Sequence, residues 1–293
     1  MIEGIILKGI GSFYDIAVGN EVVRCRARGR FRRLGITPMV GDRVLILPET
    51  ATREGSIEEV LPRKNELVRP PVANIDYLAV VIAAKNPEPD FLLADKLMAA
   101  AAMKGIQPLL VINKTDLDDE GLVEDVKEAY KSANYPVYAV SGKYGEGIEE
   151  LSRGLSEGIT TLAGQSGVGK SSIINSLHPD CSLEVGSISQ RIKRGKHTTR
   201  HVELLSLPYG GRIVDTPGFS AMELDGLEPE ELMEYYPEFA VHSDHCRFKG
   251  CIHYREPGCR IREMVELGLI NRGRYERYIS LLEDIKENRR GLK

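Results

Sequence analysis

The sequence lacks tryptophan, and aromatic residues make up only 6% of it. No apolar run reaches the ~18 residues that a transmembrane helix needs. The first residues also lack the basic start and cleavage site of a signal peptide. Only five cysteines are present, and three of them lie within 14 residues of each other. These absences argue against a membrane-spanning or disulfide-stabilised protein, and we expect a cytoplasmic one.

The composition is that of a globular protein. The 293 residues suit two or three domains, with 42% hydrophobic and 28% charged residues. The net charge of −4 is unevenly distributed: residues 1–70 carry +3, residues 71–246 carry −12 and residues 247–293 carry +5. Two basic ends around an acidic middle favour a polyanionic partner held from two sides, although basic faces are also often merely solvated.

A phosphate-binding loop lies near the middle of the chain. The pattern G-x-x-x-x-G-K-[ST] is followed here between a predicted buried strand over 158–163 and a predicted helix over 172–177, a setting that a chance glycine-rich turn would lack. Lys170 can reach the β- and γ-phosphates, and the Ser171 hydroxyl can bind Mg²⁺. The predicted phosphate-binding residues are Gly164, Gln165, Ser166, Gly167, Val168, Gly169, Lys170, Ser171 and Ser172.

An α/β domain is predicted around this loop. The apolar run 77–83 is typical of a strand buried on both faces, 90–104 of a helix, and 107–112 of the next strand. Ligands of such sheets bind at the carboxyl ends of the strands. A further helix is predicted over 118–133 and a strand over 136–140.

The tetrapeptide N-K-T-D follows the second of these strands. Asp116 can accept hydrogen bonds from N1–H and the 2-amino group of guanine, which adenine cannot offer. Asn113 can brace neighbouring loops, and the Lys114 stem can lie along the base. Residues Ser141, Gly142 and Lys143 are placed to present a backbone amide to the guanine O6. A plain polar loop is the alternative, but together with a phosphate loop the pattern indicates GTP.

Two later segments are predicted to sense the γ-phosphate. In the polar stretch 190–200, Thr199 is the expected second Mg²⁺ hydroxyl, with Thr198 as a close alternative. In the D-T-P-G sequence after the strand 212–215, Asp215 can hold a Mg²⁺-bound water and the Gly218 N–H can touch the γ-phosphate.

Phe219 stands where many GTPases place a glutamine that orients the attacking water. We therefore expect slow intrinsic hydrolysis, or a water handled by His197, by the backbone or by a partner. The predicted catalytic residues are Lys170, His197 and Thr199.

The motifs occur in an unusual order. In an ordinary GTPase the phosphate loop comes first, whereas here 113–116 precedes 164–171 and the D-T-P-G sequence comes last. A circular permutation explains this order, because the termini of a domain usually lie close together.

The first 63 residues predict a small β-barrel, because short apolar alternations are broken repeatedly by glycine. Five arginines at period two would project from one face of a single strand and contact an RNA backbone. The alternative is a solvated strand whose arginines pair with Glu58 and Glu59. The segment 63–74, with two adjacent prolines, predicts a linker. The candidate RNA-binding residues are Arg24, Arg26, Arg28, Arg30 and Arg32.

A metal site is predicted near the C-terminus. Three thiolates and one imidazole within 14 residues are a sufficient tetrahedral set for structural Zn²⁺, and His242 and His245 are nearby alternative ligands. Arginine-rich helices follow, and we interpret Cys25 and Cys181 as core residues. The predicted zinc ligands are Cys246, Cys251, His253 and Cys259.

Taken together, these motifs resemble the RsgA family (also called YjeQ or YloQ) over essentially the whole chain. The resemblance implies an OB-fold β-barrel (1–66), a central circularly permuted α/β P-loop GTPase domain (67–223) and a mostly α-helical zinc-binding domain (224–293). It further implies a checkpoint GTPase of late small (30S) subunit maturation that binds 16S rRNA and is stimulated by that subunit. The family also has an apolar residue at the position of Phe219 and is thought to use a histidine matching His197.

Two other functions stay open at this point. The chain could be a signalling GTPase that acts on a protein, or a nucleic-acid-binding protein that needs GTP only for its fold. Salt-dependent rRNA binding distinguishes the ribosomal function from the first, and GTP turnover coupled to release distinguishes it from the second. We expect a monomer without membrane contact. Regulation by guanosine tetraphosphate is left undecided by the residues.

Overall fold

The computed structural model describes residues 1–50, 54–178, 202–215 and 222–291. These residues form two compact units. The first contains Met1–Tyr77, Ile148–Leu162 and the described residues from Ser171 to Asp215; the second contains Leu78–Gly147, Ala163–Lys170 and the described residues from Met222 onward. Within the described ranges, no helix is both long and apolar enough to span a membrane.

The first unit begins with a five-stranded barrel. Strand β1 pairs antiparallel with β2 and β4, β2 with β3, and β4 with β5, while a parallel pairing of β3 with β5 closes the barrel. Inward-facing apolar side chains such as Ile6, Ile16 and Ile57 are fully buried in its core. The barrel elements are β1 (Ile2–Ile10), β2 (Phe13–Val18), β3 (Glu21–Ala27), helix α1 (Gly29–Arg33), β4 (Arg43–Leu47) and β5 (Ser56–Val60).

The expectation that one strand carries all five arginines is wrong. Strand β3 ends at Ala27, and the chain turns into α1, which buries Phe31 in the barrel core. Arg24 and Arg26 therefore lie on the strand, whereas Arg28 follows it and the positions of Arg30 and Arg32 are helical. The spacing of two between arginines continues past the end of the strand by coincidence. The chain leaves the strand there and buries Phe31 in the barrel core.

The predicted linker is also more ordered than expected. It contains an antiparallel hairpin of β6 (Glu66–Val68) and β7 (Pro71–Ala73). Just before the hairpin, the Arg63 guanidinium donates to both carboxylate oxygens of the buried Asp42 at 2.7 and 2.9 Å. This ion pair attaches the segment to the barrel, so it is not a free connection.

The remaining strands of the first unit are joined to the barrel through its strand β1. Strand β13 pairs parallel with β11 and antiparallel with β12, and β12 meets β1 where Lys8 lies opposite Glu203. The elements are α4 (Ile148–Gly154), β11 (Ile159–Ala163), α5 (Lys170–Leu177), β12 (Glu203–Ser206) and β13 (Arg212–Asp215).

The second unit contains the α/β elements that the apolar runs predict. Its strands lie in the order β10–β9–β8, with β9 and β10 parallel. Helix α2 begins after Asp90, which caps it: the carboxylate accepts a hydrogen bond from the Leu93 N–H at 2.9 Å. The elements are β8 (Tyr77–Ala83), α2 (Phe91–Met103), β9 (Gln107–Asn113), a 3₁₀ turn (Thr115–Leu117), α3 (Leu122–Lys131) and β10 (Val137–Ala139).

A helical cluster with an aromatic core completes the second unit. The Phe239 and Tyr278 rings meet edge to face at 4.9 Å, and Tyr236 packs on Tyr278 at 5.1 Å. Ala99 of α2 contributes to the same core. The elements are 3₁₀ turns (Leu232–Tyr235 and Ser243–His245) and helices α6 (Pro237–Ala240), α7 (Arg260–Glu266) and α8 (Arg272–Gly291).

Candidate nucleotide site and metal centre

The phosphate loop adopts a backbone that requires glycine. Gly164 and Gly169 have φ angles of 142° and 94°. A Cβ atom at Gly164 would lie 2.2 Å from the Val81 carbonyl oxygen, and one at Gly169 would lie 2.3 Å from Nδ2 of Asn113. The loop therefore packs closely against β8 and β9, and its glycines allow a backbone whose N–H groups can curl around an anion.

Lys170 is held in place at the start of α5. Its Nζ donates to the carbonyl oxygens of Gly164 and Gln165 at 2.7 and 2.9 Å. Burial lowers the pKa of this lysine to about 8. Among the described residues, the partners of the ammonium group are thus neutral carbonyl oxygens, which phosphate oxygens can replace.

Asn113 joins the loops on either side of it, as the sequence predicts for a brace. Its Nδ2 donates to the Val168 carbonyl in the phosphate loop at 2.7 Å, and its Oδ1 accepts from the Gly142 N–H at 2.9 Å. The side chain is only 2% exposed. A buried amide with both ends satisfied fixes the spacing between the predicted base-binding and phosphate-binding loops.

Asp116 and Ser141 meet at the predicted base-binding end. The Ser141 hydroxyl donates to Asp116 Oδ1 at 2.7 Å, and Ser141 is fully buried. The bond orients the carboxylate and leaves Oδ2 available to a ligand. In the same loop, the exposed Lys143 lies over the Tyr144 ring at 4.6 Å, so its side chain follows the surface.

Lys114 has a left-handed backbone (φ 61°), and its Nζ donates to the Asn86 carbonyl. Burial is the main cause that lowers the pKa of this lysine, and the charge of Asp116 opposes the shift. Asn86 is not predicted from the sequence, where its signal is the Asn-Pro pair shortly after the end of a buried strand.

The predicted γ-phosphate and Mg²⁺ residues are described only in part. Ser171 and Ser172 lie in the first turn of α5. Asp215 ends β13, and the pKa of its carboxyl is raised by burial and then by Glu203, with Lys8 opposing. Predictions that lie outside the described residues concern His197, Thr198, Thr199, Gly218 and Phe219.

Four of the five candidate RNA-binding arginines have described side chains, and all four have acidic neighbours. Arg24 pairs with Asp15 at 2.8 Å, Arg26 lies 3.9 Å from Glu54, and Arg28 and Arg30 approach Glu58 at 2.6 and 3.8 Å. The predicted pairing with Glu58 therefore occurs. These arginines still expose 43–65% of their side chains, so their charge remains accessible. Arg26 and Arg28 line an open cleft of about 970 Å³, together with Tyr14 and Phe31.

The four predicted zinc ligands converge. Their ligand atoms all lie within 4.8 Å of one another, and the thiols of Cys246 and Cys259 lie 3.6 and 3.5 Å from Nδ1 of His253. His242 and His245 do not belong to this group. Burial lowers the pKa of His253 to about 4, which keeps its imidazole neutral as a metal ligand must be.

Contacts around the cluster hold its loop in shape. The Tyr275 and Tyr278 hydroxyls donate to the carbonyl oxygens of His253 and Ile252, both at 2.7 Å. The Arg260 N–H points at the Cys246 thiol at 3.3 Å, a contact that would stabilise a thiolate. Three thiols and one neutral imidazole in a closed, buried loop fit a structural zinc site and leave no open position for catalysis.

Known proteins are similar to nearly the whole chain. The family model described as RsgA GTPase matches residues 60–225, and the one described as RsgA N-terminal domain matches residues 3–57. The chain is 46% identical over 287 residues to the small ribosomal subunit biogenesis GTPase RsgA of Ruminiclostridium cellulolyticum, covering 97% of this chain and 94% of the relative. Identity to the protein of the same name from Geobacillus thermodenitrificans is 44% over 292 residues, with 99% of each covered.

Two solved structures share the fold. The crystal structure of YjeQ from Thermotoga maritima superposes with a TM-score of 0.83 at 37% identity, over 97% of this chain and 98% of that one. YloQ, described as a circularly permuted GTPase, gives a TM-score of 0.83 at 34% identity, over 98% and 96% of the two chains. The permuted motif order, the barrel and the Cys₃His cluster agree with these matches, and the chain therefore belongs to the RsgA family of GTP-hydrolysing enzymes.

Proposed function

We propose that this GTPase acts as a late checkpoint in maturation of the small (30S) ribosomal subunit. The observation that carries the proposal is the near-complete match to relatives named as small ribosomal subunit biogenesis GTPases. In this proposal, the GTP-bound protein binds 16S rRNA on the particle, the particle stimulates hydrolysis, and the GDP-bound protein leaves. It works in the cytoplasm as a monomer.

GTP and Mg²⁺ are the substrate and the metal of this family, and GDP is the product. We assign guanine recognition to Asp116, oriented by Ser141, with Lys114 along the base and the 141–143 loop at O6. The hydrogen bonds of Asn113 to both neighbouring loops support this assignment, because they hold the two ends of the site at one spacing. The phosphates are assigned to residues 164–172.

Ser171, Thr199 and Asp215 would hold Mg²⁺, which would supply positive charge to neutralise the negative charge of the phosphates. Lys170 would stabilise the same charge during transfer, and the Gly218 N–H would contact the γ-phosphate. His197 is assigned to the attacking water because Phe219 cannot hydrogen-bond to one. The small subunit would complete the positioning of the attacking water. We therefore expect the free protein to hydrolyse GTP slowly.

RNA contact is assigned to the barrel through Arg24, Arg26, Arg28, Arg30 and Arg32. The cleft supports this assignment, since the guanidinium groups of Arg26 and Arg28 and the half-buried Tyr14 ring border an open groove, and such barrels bind unpaired nucleotides by charge and by stacking on aromatic rings. We propose the domain limits 1–66, 67–223 and 224–293. The second family match ends at residue 225, close to the second limit, whereas the two matches meet between residues 57 and 60, before the first limit.

The test is GTP turnover by purified protein, alone and with purified small subunits. Large subunits and ATP serve as controls. We expect small subunits alone to accelerate GTP hydrolysis. Equal turnover with and without small subunits would contradict the proposal and favour a GTPase that acts on a protein partner.

A second arm tests the barrel. Replacing Arg24, Arg26 and Arg28 by serine should weaken particle binding and make its salt dependence shallower, with intrinsic turnover unchanged. The matched control replaces the exposed Lys127 and Lys131 of α3, which form only i,i+3 pairs. Unaltered particle binding by the arginine variant would remove the role assigned to the barrel.

A further inference from the structure

The segment 84–87, directly after β8, is tied to the residues that carry the N-K-T-D motif. The Ala84 N–H donates to the Asn113 carbonyl at 2.8 Å. The Lys85 ammonium donates to both carboxylate oxygens of Asp119 at 3.0 and 3.1 Å. The Asn86 carbonyl then accepts from Nζ of Lys114. Three successive residues thus face the same stretch of chain.

The other side of the segment faces the phosphate loop. A Cβ atom placed on Gly167 would lie 3.8 Å from Cδ of Pro87, so Pro87 lies close beside the loop. The segment therefore contacts the predicted base-binding motif and borders the predicted phosphate-binding loop. None of its residues belongs to either motif.

The backbone of Asn86 is what aims its carbonyl at Lys114. Asn86 has a φ of 51°, in the left-handed region that asparagine adopts more readily than other residues with a Cβ atom. Its side chain is exposed, so burial of that side chain does not explain the residue type. Lys114 is itself left-handed, with φ 61°, and its long stem would otherwise sample many rotamers.

The geometry points to Asn86 as a positioning residue for guanine-nucleotide binding: its left-handed backbone presents the carbonyl that fixes the Lys114 stem across the base. The inference rests on the proposed role of Lys114. A fixed stem offers a preformed surface to the base, so the ordering cost is met before the nucleotide arrives. The lowered pKa of Lys114, caused mainly by burial, agrees with a stem already withdrawn from water.

The test compares substitutions that differ in backbone freedom. Asn86→Gly keeps the left-handed conformation accessible, whereas Asn86→Val disfavours it strongly because valine is β-branched. We expect Asn86→Val to weaken GDP and GTP binding about tenfold, the loss of one hydrogen bond to a charged group, and Asn86→Gly to bind like the parent. The KM for GTP should rise with Asn86→Val while kcat at saturating GTP stays constant, since Lys114 lies at the base and not at the phosphates.

Asn134 provides a matched control. It is also exposed and left-handed, with φ 54°, but it lies in the turn after α3. Asn134→Val should lower stability to a similar degree and leave nucleotide affinity unchanged. Should Asn86→Val fold poorly, Asn86→Ala gives a milder version of the same change.

A double-mutant cycle with Lys114→Ala separates the outcomes. If Asn86 acts through Lys114, Asn86→Val has no further effect on affinity in the Lys114→Ala background. An undiminished effect there, or parent-like affinity of Asn86→Val beside a weakened Lys114→Ala, would overturn this inference and leave the proposed function intact. Parent-like affinity of Lys114→Ala would instead overturn the proposed role of Lys114, and this inference with it.

Discussion

Asn113 and Val168 are joined by a buried hydrogen bond of 2.7 Å that links the strand before N-K-T-D to the phosphate loop. Asn113→Ala removes this bond and leaves the Gly142 N–H without its present acceptor. We expect a stability loss of about 1–3 kcal/mol in urea unfolding and at least a ~10-fold weaker GDP affinity.

Asn113→Asp is the sharper variant of this experiment. It keeps an acceptor for Gly142 but places a carboxylate oxygen against the Val168 carbonyl. GDP affinity should fall in this variant too, because a carboxylate oxygen and a carbonyl oxygen are both acceptors and cannot form a hydrogen bond with each other. Parent-like GDP affinity in both variants would show that the spacing of the two loops does not depend on this side chain.

The base-binding end yields a prediction on specificity. Asp116→Asn exchanges an acceptor for a donor, so the preference for guanine should relax. Affinity for a nucleotide whose base has a 2-oxo group, such as xanthine, should increase. Ser141→Ala removes only the hydroxyl that orients Asp116, and a loss of GTP affinity of no more than ~10-fold is expected. Competition of GTP, ATP and xanthosine triphosphate for each variant measures this. Undiminished selectivity for GTP in Asp116→Asn would contradict the assignment.

We predict that Lys170 takes up a proton when nucleotide binds. Its pKa in the free protein is about 8 because of burial, and phosphate oxygens beside the ammonium group raise it in the complex. At pH 8 about half of the free protein must therefore take up a proton on binding. Affinity for GDP should fall as the pH rises above 8, and calorimetry at pH 8 should give enthalpies that vary with the ionisation enthalpy of the buffer. Buffer-independent enthalpies would show that this lysine is already fully charged.

The sequence predicts the second unit well because its strands are continuous apolar runs buried on both faces. The run 77–83 coincides with β8, and 107–112 with all but the last residue of β9. Motif residues at the ends of these strands are equally predictable, since the parallel topology brings those ends to one edge. Local pattern and tertiary structure agree there.

The sequence predicts less where distant contacts decide. The arginine period continues past Ala27, but Phe31 is drawn into the barrel core and ends the strand. The segment expected to be a linker is attached to the barrel by Arg63, which contacts Asp42, 21 residues earlier. Asn86 belongs to no motif, because its contribution is a backbone carbonyl and a left-handed φ. Neither leaves a periodic signal in the chain.

The Cys₃His cluster predicts a stability that depends on zinc. Cys259→Ser removes one of four ligands, so the purified variant should contain less than one zinc per chain and unfold at a lower temperature. Cys25→Ser is the control, because that thiol is buried in the barrel and outside the cluster. A strong chelator should destabilise the parent and the control alike. Equal zinc content in both variants would refute the ligand assignment.

The last prediction concerns Arg274, which is only 2% exposed. Its guanidinium donates to Asp95 of α2 and to Glu238 of α6, both at 2.6 Å, and lies 4.6 Å from the centre of the Tyr130 ring. The guanidinium of this α8 residue thus contacts side chains of three other helices of the second unit, α2, α3 and α6. Arg274→Met leaves two buried carboxylates without this partner, which should cost about 3–5 kcal/mol in urea unfolding.

Two further variants decide whether the charge or the packing of Arg274 matters. Arg272→Met changes an exposed arginine of the same helix, and we expect an effect within about 0.5 kcal/mol. Asp95 keeps its ion pair with Arg277 in Arg274→Met, whereas Glu238 loses the cation that it contacts. Adding Glu238→Gln to Arg274→Met removes this buried charge and should restore part of the lost stability. A loss in Arg274→Met that this addition leaves undiminished would mean that the arginine contributes through its contacts with the tyrosine rings, and not by compensating Glu238.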